Sequence, residues 1–272
     1  MIEETRHNNV ERFTGFGELY DQNRPVAPME VVNILTTYLD DHPQTVVDVG
    51  CGTGLSSFVW LNSADHIIGF EPSDDMREVA ISKWNASGQP STLEFREGLS
   101  HELGLASGSA DIVTCSQSFH WMEPQSTLQE FARILRPGGI FAAYDYDWPP
   151  VSDWRIDDKY QQLISHADAL AAQLAPQEQR AHKWNKDGHL QHIRESGLFR
   201  YTREIVFHHS EQCNAERYTN IALSQGGLQT ALKLGAEELH SEVIQFRELV
   251  SQAFTGETRD VIFSYRMRLG II

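Results

Sequence analysis

Residues 45–57 read TVVDVGCGTGLSS, an apolar run closed by Gly50, Gly52 and Gly54 at every second position. Such glycines either permit a tight turn or let a ligand lie against bare backbone, and their spacing alone does not separate the two. Glu71 ends the next apolar run, HIIGFE, 21 residues after Gly50. A carboxylate there can accept both hydroxyls of a ribose, or it is an ordinary strand-end acid. A dinucleotide fingerprint requires G-x-G-x-x-G, so that a pyrophosphate sits on a helix N-terminus, but its last glycine falls on Leu55. Asp48, two residues ahead of Gly50, would repel a pyrophosphate and could meet an ammonium group directly or through water. Asp48 and Leu55 together speak against an NAD-dependent oxidoreductase and for a nucleoside cofactor with a cationic end.

A second candidate is SQSFHWM, residues 116–122, which follows the strand-like ADIVTCS. His120 and Trp121 either pack the start of the following helix or face a reacting group beyond the strand. An imidazole there is suited to general-base work near neutrality.

These residues need a scaffold that carries strand ends to one edge. Strand-like runs at 45–50, 66–71, 92–98, 110–116 and 139–147 alternate with helix-length stretches at 55–62, 73–85 and 125–135. That rhythm predicts a doubly wound parallel sheet with helices on both faces. Ser73 is placed to cap a helix with Asp74 and Asp75 in its first turn, and LRPGG closes another helix before the next strand. After WPPVSDW come two helical blocks, separated and followed by the strand-like 198–209 and 260–269. Because strands resume, both blocks read as insertions. The expected division is one domain over 1–272: an N-terminal helical lid at 1–44, a cofactor core at 45–147, and a substrate cap built from 148–197 and 210–259.

The chain has 272 residues, 40% of them hydrophobic, and a formal charge of −16. That acidity disfavours nucleic acid and anionic membrane surfaces as partners. Three scattered cysteines make neither a disulfide framework nor a metal-ligand pattern, so no metal is expected and a reducing, cytoplasmic setting is. No signal-peptide core and no membrane-length apolar run is present.

VVDVGCGTG, GFEPSDDM, DIVTCSQSFHWM and LRPGGIFAAYDY, in this order across 45–147, resemble the class I S-adenosylmethionine-dependent methyltransferases. Within these the chain is similar to the small-molecule branch with the trans-aconitate and ubiquinone/menaquinone enzymes. The resemblance implies a Rossmann-like seven-stranded sheet, mostly parallel with an antiparallel last strand at 260–269. It assigns the methionine part of S-adenosylmethionine to Asp48, Gly50, Cys51, Gly52, Gly54 and Leu55, and the ribose to Glu71. Pro72 and Met76 would flank the adenine, with Gly98, Leu99 and Ser100 on its other side. Ser116, Gln117 and His120 would lie near the sulfonium.

Tyr20 and Arg24 match an N-terminal cofactor-contact pattern; as residues alone they also fit a solvated helix end. Trp121, Tyr146 and Trp148 are the expected acceptor contacts, with Trp154 and Trp184 as further aromatic material or as packing of the insertions. Met267 and its flanking arginines are expected to carry no chemistry. The implied activity is methyl transfer to a small-molecule oxygen, nitrogen or carbon nucleophile, including a carboxylate. A protein that binds the cofactor only as a sensor or partner is the rival reading. Composition and motifs leave the oligomeric state open.

Overall fold

The computed structural model describes residues 8–10, 15, 17–176 and 182–272. In chain order, α1 (Gly17–Asn23) and α2 (Met29–Leu39) precede β1 (Thr45–Val49), and β2 (His66–Phe70) leads to α3 (Asp74–Ala86). Then come β3 (Leu93–Arg96), β4 (Ala110–Ser116), α4 (Pro124–Ile134) and β5 (Leu135–Tyr146). The remainder is α5 (Trp154–Leu174), α6 (His189–Glu195), β6 (Tyr201–Cys213), α7 (Ala215–Leu223), α8 (Gly226–Lys233), α9 (Leu239–Phe254) and β7 (Arg259–Ile271).

The strands form one sheet in the order β3-β2-β1-β4-β5-β7-β6, with β7 antiparallel to both neighbours. This is the expected Rossmann-like, mostly parallel sheet with an antiparallel last strand. Alternate residues feed two cores: Val46, Ile67 and Ile112 on one face, and Val47, Ile68 and Val113 on the other. The order reverses between β1 and β4, and a crevice opens beyond the carboxyl ends of strands at such a reversal. Gly50 therefore faces Ser116 and Gln117 across the mouth of a cleft.

Two local expectations are corrected, and a third is met by a different bond. Residues 55–62 form turns around a 3₁₀ turn at Phe58–Trp60 rather than an α-helix. Gly54 is left-handed at φ +82°, and the hydroxyls of Ser56 and Ser57 are both drawn to Asp48, so the chain stays in tight i→i−3 turns. RPGG does not lie between helix and strand but inside β5, which starts at Leu135. A register shift opposite Ala110 and Ile112 absorbs it. Ser73 is the N-cap of α3 without a side-chain cap bond, and its N–H is taken by Glu71 Oε1 at 2.9 Å.

The helices after β5 and after β6 pack on each other, α5 against α8 and α9, and α9 against α7. β6 runs on to Cys213, and the second helical block begins at Ala215. No helix of the described residues is long and apolar enough to cross a membrane.

Candidate active site

A cavity of about 690 Å³ follows the switch point from the glycine loop to the paired helical blocks. Its first end is backbone. Gly52 has φ +56°, and a Cβ placed on it would meet nothing within 4 Å, so its open side faces the cleft. Gly50 and Gly54 are different. A Cβ on Gly50 would come within 2.6 Å of Ser118 Cβ, and one on Gly54 within 2.9 Å of Phe95 Cζ. Those two glycines permit packing of the loop against its own protein. One of the three is open to a ligand.

Glu71 lies across from the loop, where its Oε2 accepts the Gly52 N–H and its Oε1 that of Ser73, both at 2.9 Å. Burial raises its pKa to about 7, against the opposing pull of these N–H groups and of Arg77. Cys51, Leu55, Pro72, Met76, Gly98, Leu99 and Ser100 line the same end, and the Ser100 hydroxyl is bonded to that of Thr127 at 2.8 Å.

Asp48 is the main correction. Its side chain is fully buried and absent from the cleft wall. Ser56 and Ser57 donate to its Oδ2 at 2.6 and 2.7 Å, and Thr114 on β4 donates to its Oδ1 at 3.0 Å. Burial pushes its pKa up, and the three hydroxyls oppose that. It ties the turn after β1 to β4 and has no face for an ammonium group.

The middle of the cleft is aromatic. The Arg24 guanidinium sits 5.1 Å from the Tyr20 ring centre and 4.8 Å from that of Trp148. Its Nη2 donates to the Ser224 carbonyl at 2.8 Å and to Gln225 Oε1 at 3.3 Å, which anchors the N-terminal segment to the α7–α8 turn. Tyr146 meets Trp148 edge to face at 4.6 Å, and Trp148 stacks on Tyr160 at 6.0 Å. Among the described residues Arg24 makes no carboxylate contact, and its Nε is buried without a partner.

The far end is charged. His120 and Trp121 lie on a 3₁₀ turn after β4, and both line the cleft. His120 Nδ1 stands 3.6 Å from Asp145 Oδ1, the oxygen that Lys186 Nζ reaches at 2.7 Å. Asp145 Oδ2 faces Arg268 Nη1 at 3.5 Å and His189 Nε2 at 3.9 Å. Burial lowers His120 to about 3 and His189 to about 4. Burial alone would raise Asp145, but Lys186 and His120 hold it well below the usual carboxylate range. His120, Asp145 and His189 bring metal-ligand types together. Both Asp145 oxygens nevertheless face fixed cations, which makes this an ion-pair cluster rather than a metal cradle.

Residues 47–143 match the family model described as methyltransferase domain. Over 136 residues the chain is 29% identical to CRG1 of Saccharomyces cerevisiae, named a probable S-adenosylmethionine-dependent methyltransferase, covering 50% of this chain and 47% of that one. The chain spans about half the length of the curated relatives it matches. Among solved structures, a protein of Anaeromyxobacter dehalogenans proposed to be a type II methyltransferase superposes with a TM-score of 0.67 at 17% identity, over 91% of this chain and 97% of that one. Phosphoethanolamine N-methyltransferase 2 of Haemonchus contortus, in complex with phosphomonomethylethanolamine and S-adenosylhomocysteine, gives 0.54 at 11% identity, over 97% and 60%.

Of the residues nominated from sequence, all but Asp48 and Gly54 among the cofactor candidates line the cleft, and so do Trp121, Tyr146 and Trp148. Trp154 does not: it is 76% exposed. Trp184 lies outside it too, its backbone N–H donating to the His120 carbonyl at 2.8 Å while its ring meets His192. Arg268, expected to be inert, lines the cleft and is 3% exposed. Asp145, Lys186 and His189 are functional candidates that spacing missed. Asp145 carried a usable signal, since it adjoins Tyr146 at the carboxyl end of β5. Lys186 and His189 lie far along the chain in a polar stretch with no motif.

Proposed function

We propose that this protein transfers the methyl group of S-adenosylmethionine to a small-molecule acceptor. The observation that carries this reading is the pairing of Gly52 with Glu71 at the switch point. An unsubstituted backbone position opens on the cleft beside a buried carboxylate, and the same cavity continues to an imidazole. A methionine tail fits along Gly50–Gly52 toward Ser116 and Gln117, a ribose diol fits Glu71, and an adenine fits between Pro72, Met76 and Leu99. Asp48 and Gly54 act one step back, by holding the loop. The N-terminal segment and the two helical blocks enclose the acceptor.

When bound, the cofactor supplies an electrophilic methyl group. The chain's part is to align the acceptor with it at about 3 Å, exclude water and receive a proton where the acceptor carries one. The aromatic walls at Tyr20, Tyr146 and Trp148 suit a small organic acceptor, and His120 is the proton acceptor within reach. The relative crystallised with phosphomonomethylethanolamine and S-adenosylhomocysteine supports both halves of the reading by analogy. Three free, buried cysteines agree with the reducing interior of a cell.

Thermal stabilisation by S-adenosylhomocysteine against NAD tests the donor site. Selective binding at 100 times Kd raises stability by about 2.7 kcal/mol. Stabilisation by NAD alone ends the reading. Tight S-adenosylhomocysteine binding with no label passed from the methyl donor to any compound of a metabolite pool favours a sensor over an enzyme.

A further inference from the structure

Asp145 Oδ1 has two claimants. Lys186 Nζ lies 2.7 Å from it, an ion-pair contact without hydrogen-bond alignment, and His120 Nδ1 waits at 3.6 Å, beyond hydrogen-bond range. His120 Nδ1 is sealed from solvent and has no hydrogen-bond partner, while the residue lines the cleft. The imidazole is thus wedged between a carboxylate and the acceptor space, with the carboxylate occupied by a rival.

We propose that Asp145 is a positioning residue that orients His120 as the proton acceptor of methyl transfer, and that Lys186 sets the strength of that base by competing for the same carboxylate oxygen. This rests on the methyl-transfer reading and names the acceptor class: a neutral O–H or N–H compound that must lose a proton. The bond from sulfur to the methyl carbon breaks with its electron pair left on sulfur, the bond from acceptor to methyl forms, and the acceptor proton passes to His120 Nε2. Positive charge leaves the sulfonium and reappears on the imidazolium, so the cleft keeps its total charge. Asp145 Oδ1 faces the Nδ1–H that the neutral tautomer already carries, the tautomer that leaves Nε2 free to take the proton.

The charged groups around Asp145 and His120 come from several elements. Asp145 projects from β5 and Arg268 from β7, with Arg268 Nε committed to Glu204 Oε2 on β6 at 2.8 Å. His189 on α6 lies with its ring 6.4 Å from that of His120 and nearly parallel to it. Lys183 and Lys186 come from the segment before α6, and both push His120 toward the neutral form. Lys186 is the least buried member of the trio, with a side chain 23% exposed against 5% for both His120 and Asp145. It also donates to Gln117 Oε1 at 2.8 Å, on the cofactor side of the cleft. Lys186 therefore joins the occupancy of that side to the strength of the base.

Imidazole nitrogen NMR of the full chain tests this, with the His120 signal assigned by its loss in His120→Gln. Lys186→Met is expected to raise the His120 pKa by at least one unit, a tenfold change in proton affinity. Lys186→Arg is expected to keep it near the wild-type value. Adding Asp145→Asn to Lys186→Met is expected to abolish the rise. A His120 titration unmoved by Lys186→Met overturns the proposal, and so does a rise that survives loss of the carboxylate. Should the double variant not fold, a His120 titration that is the same in Lys186→Arg as in Lys186→Met overturns it as well. Calorimetry with S-adenosylhomocysteine separates the two claims: no binding with a responsive His120 ends the donor reading alone, and binding with an unresponsive His120 ends the base assignment alone.

Discussion

Glu71 Oε2 accepts the backbone N–H of Gly52 at 2.9 Å, so the ribose candidate and the open glycine already hold each other before any ligand arrives. The carboxylate sits at about 7 because burial penalises its charge. An acid whose folded pKa exceeds its unfolded value binds an extra proton in the fold. Its contribution to stability therefore falls as pH climbs from 4.5 to about 7 and stays lost above. The shift corresponds to about 3 kcal/mol. Ligand-free Glu71→Gln is expected to melt above wild type at pH 8 and to converge with it near pH 4.5. Its S-adenosylhomocysteine affinity should be at least tenfold weaker at pH 8 and flat with pH, whereas wild type binds more tightly from pH 6 to 8 as the acceptor charge forms. Calorimetry across that range decides it, and a wild-type affinity independent of pH counts against Glu71 as the ribose acceptor.

Gly52 and Gly50 separate binding from folding. Gly52→Ala costs about 1–2 kcal/mol for a side chain in the left-handed region, and its methyl group stands in the cleft. The fold should survive while S-adenosylhomocysteine binding drops by tenfold or more. Gly50→Ala adds a clash with Ser118 to the same backbone cost, so its melting temperature should fall further than that of Gly52→Ala. Melting curves and calorimetry on both variants check this; equal loss of binding at equal stability would leave Gly52 without a special place.

The sheet and the glycine-loop end of the cleft were legible because their signals are local. Short apolar, β-branched runs, glycine spacing and an acid at a strand end are each read within a few residues, as at Gly50, Gly52 and Glu71. What escaped depends on pairings over long stretches of chain. Asp48 looked like a ligand for a cation because nothing in TVVDVG shows that Thr114, 66 residues later, hands it a hydroxyl. Ser56 and Ser57 were in view, but only the turn that replaces the expected helix aims both at Asp48. Arg268 reads as one of two arginines alternating along a strand. Burial of its guanidinium between Asp145 and Glu204 is set by the β5-β7-β6 order. Trp154 and Trp184 carry aromatic bulk whose direction no spacing encodes.

Asp48 consequently belongs to folding before binding. Asp48→Ala leaves three buried hydroxyls without their acceptor and should cost about 3 kcal/mol or more. Asp48→Asn keeps the shape and one acceptor oxygen, and its amide can donate to Thr114. It also removes a charge that burial disfavours, so its loss should be clearly smaller. Urea denaturation of the two variants tests the order. A fully stable Asp48→Ala protein that no longer binds S-adenosylhomocysteine would restore direct contact with the ligand.

The buried histidines set the acid limit of the fold. His120 at about 3 and His189 at about 4 lie below the ordinary 6.5, so the unfolded chain binds more protons than the native one between these values. Their contribution is complete above 6.5 and is lost as pH falls toward the folded values, about 2 kcal/mol for each histidine by pH 5. His189 is the cleaner probe. It is fully buried, both ring nitrogens lack hydrogen-bond partners, and its ring packs edge-on against Phe119 at 4.9 Å. An apolar side chain there removes the proton linkage and two unsatisfied polar atoms together. His189→Leu should therefore equal or exceed wild type at pH 7.5 and lead it by about 2 kcal/mol at pH 5. Denaturant melts at the two pH values measure the difference. An unchanged acid slope in the variant would show that the His189 imidazole is not what protonation must overcome.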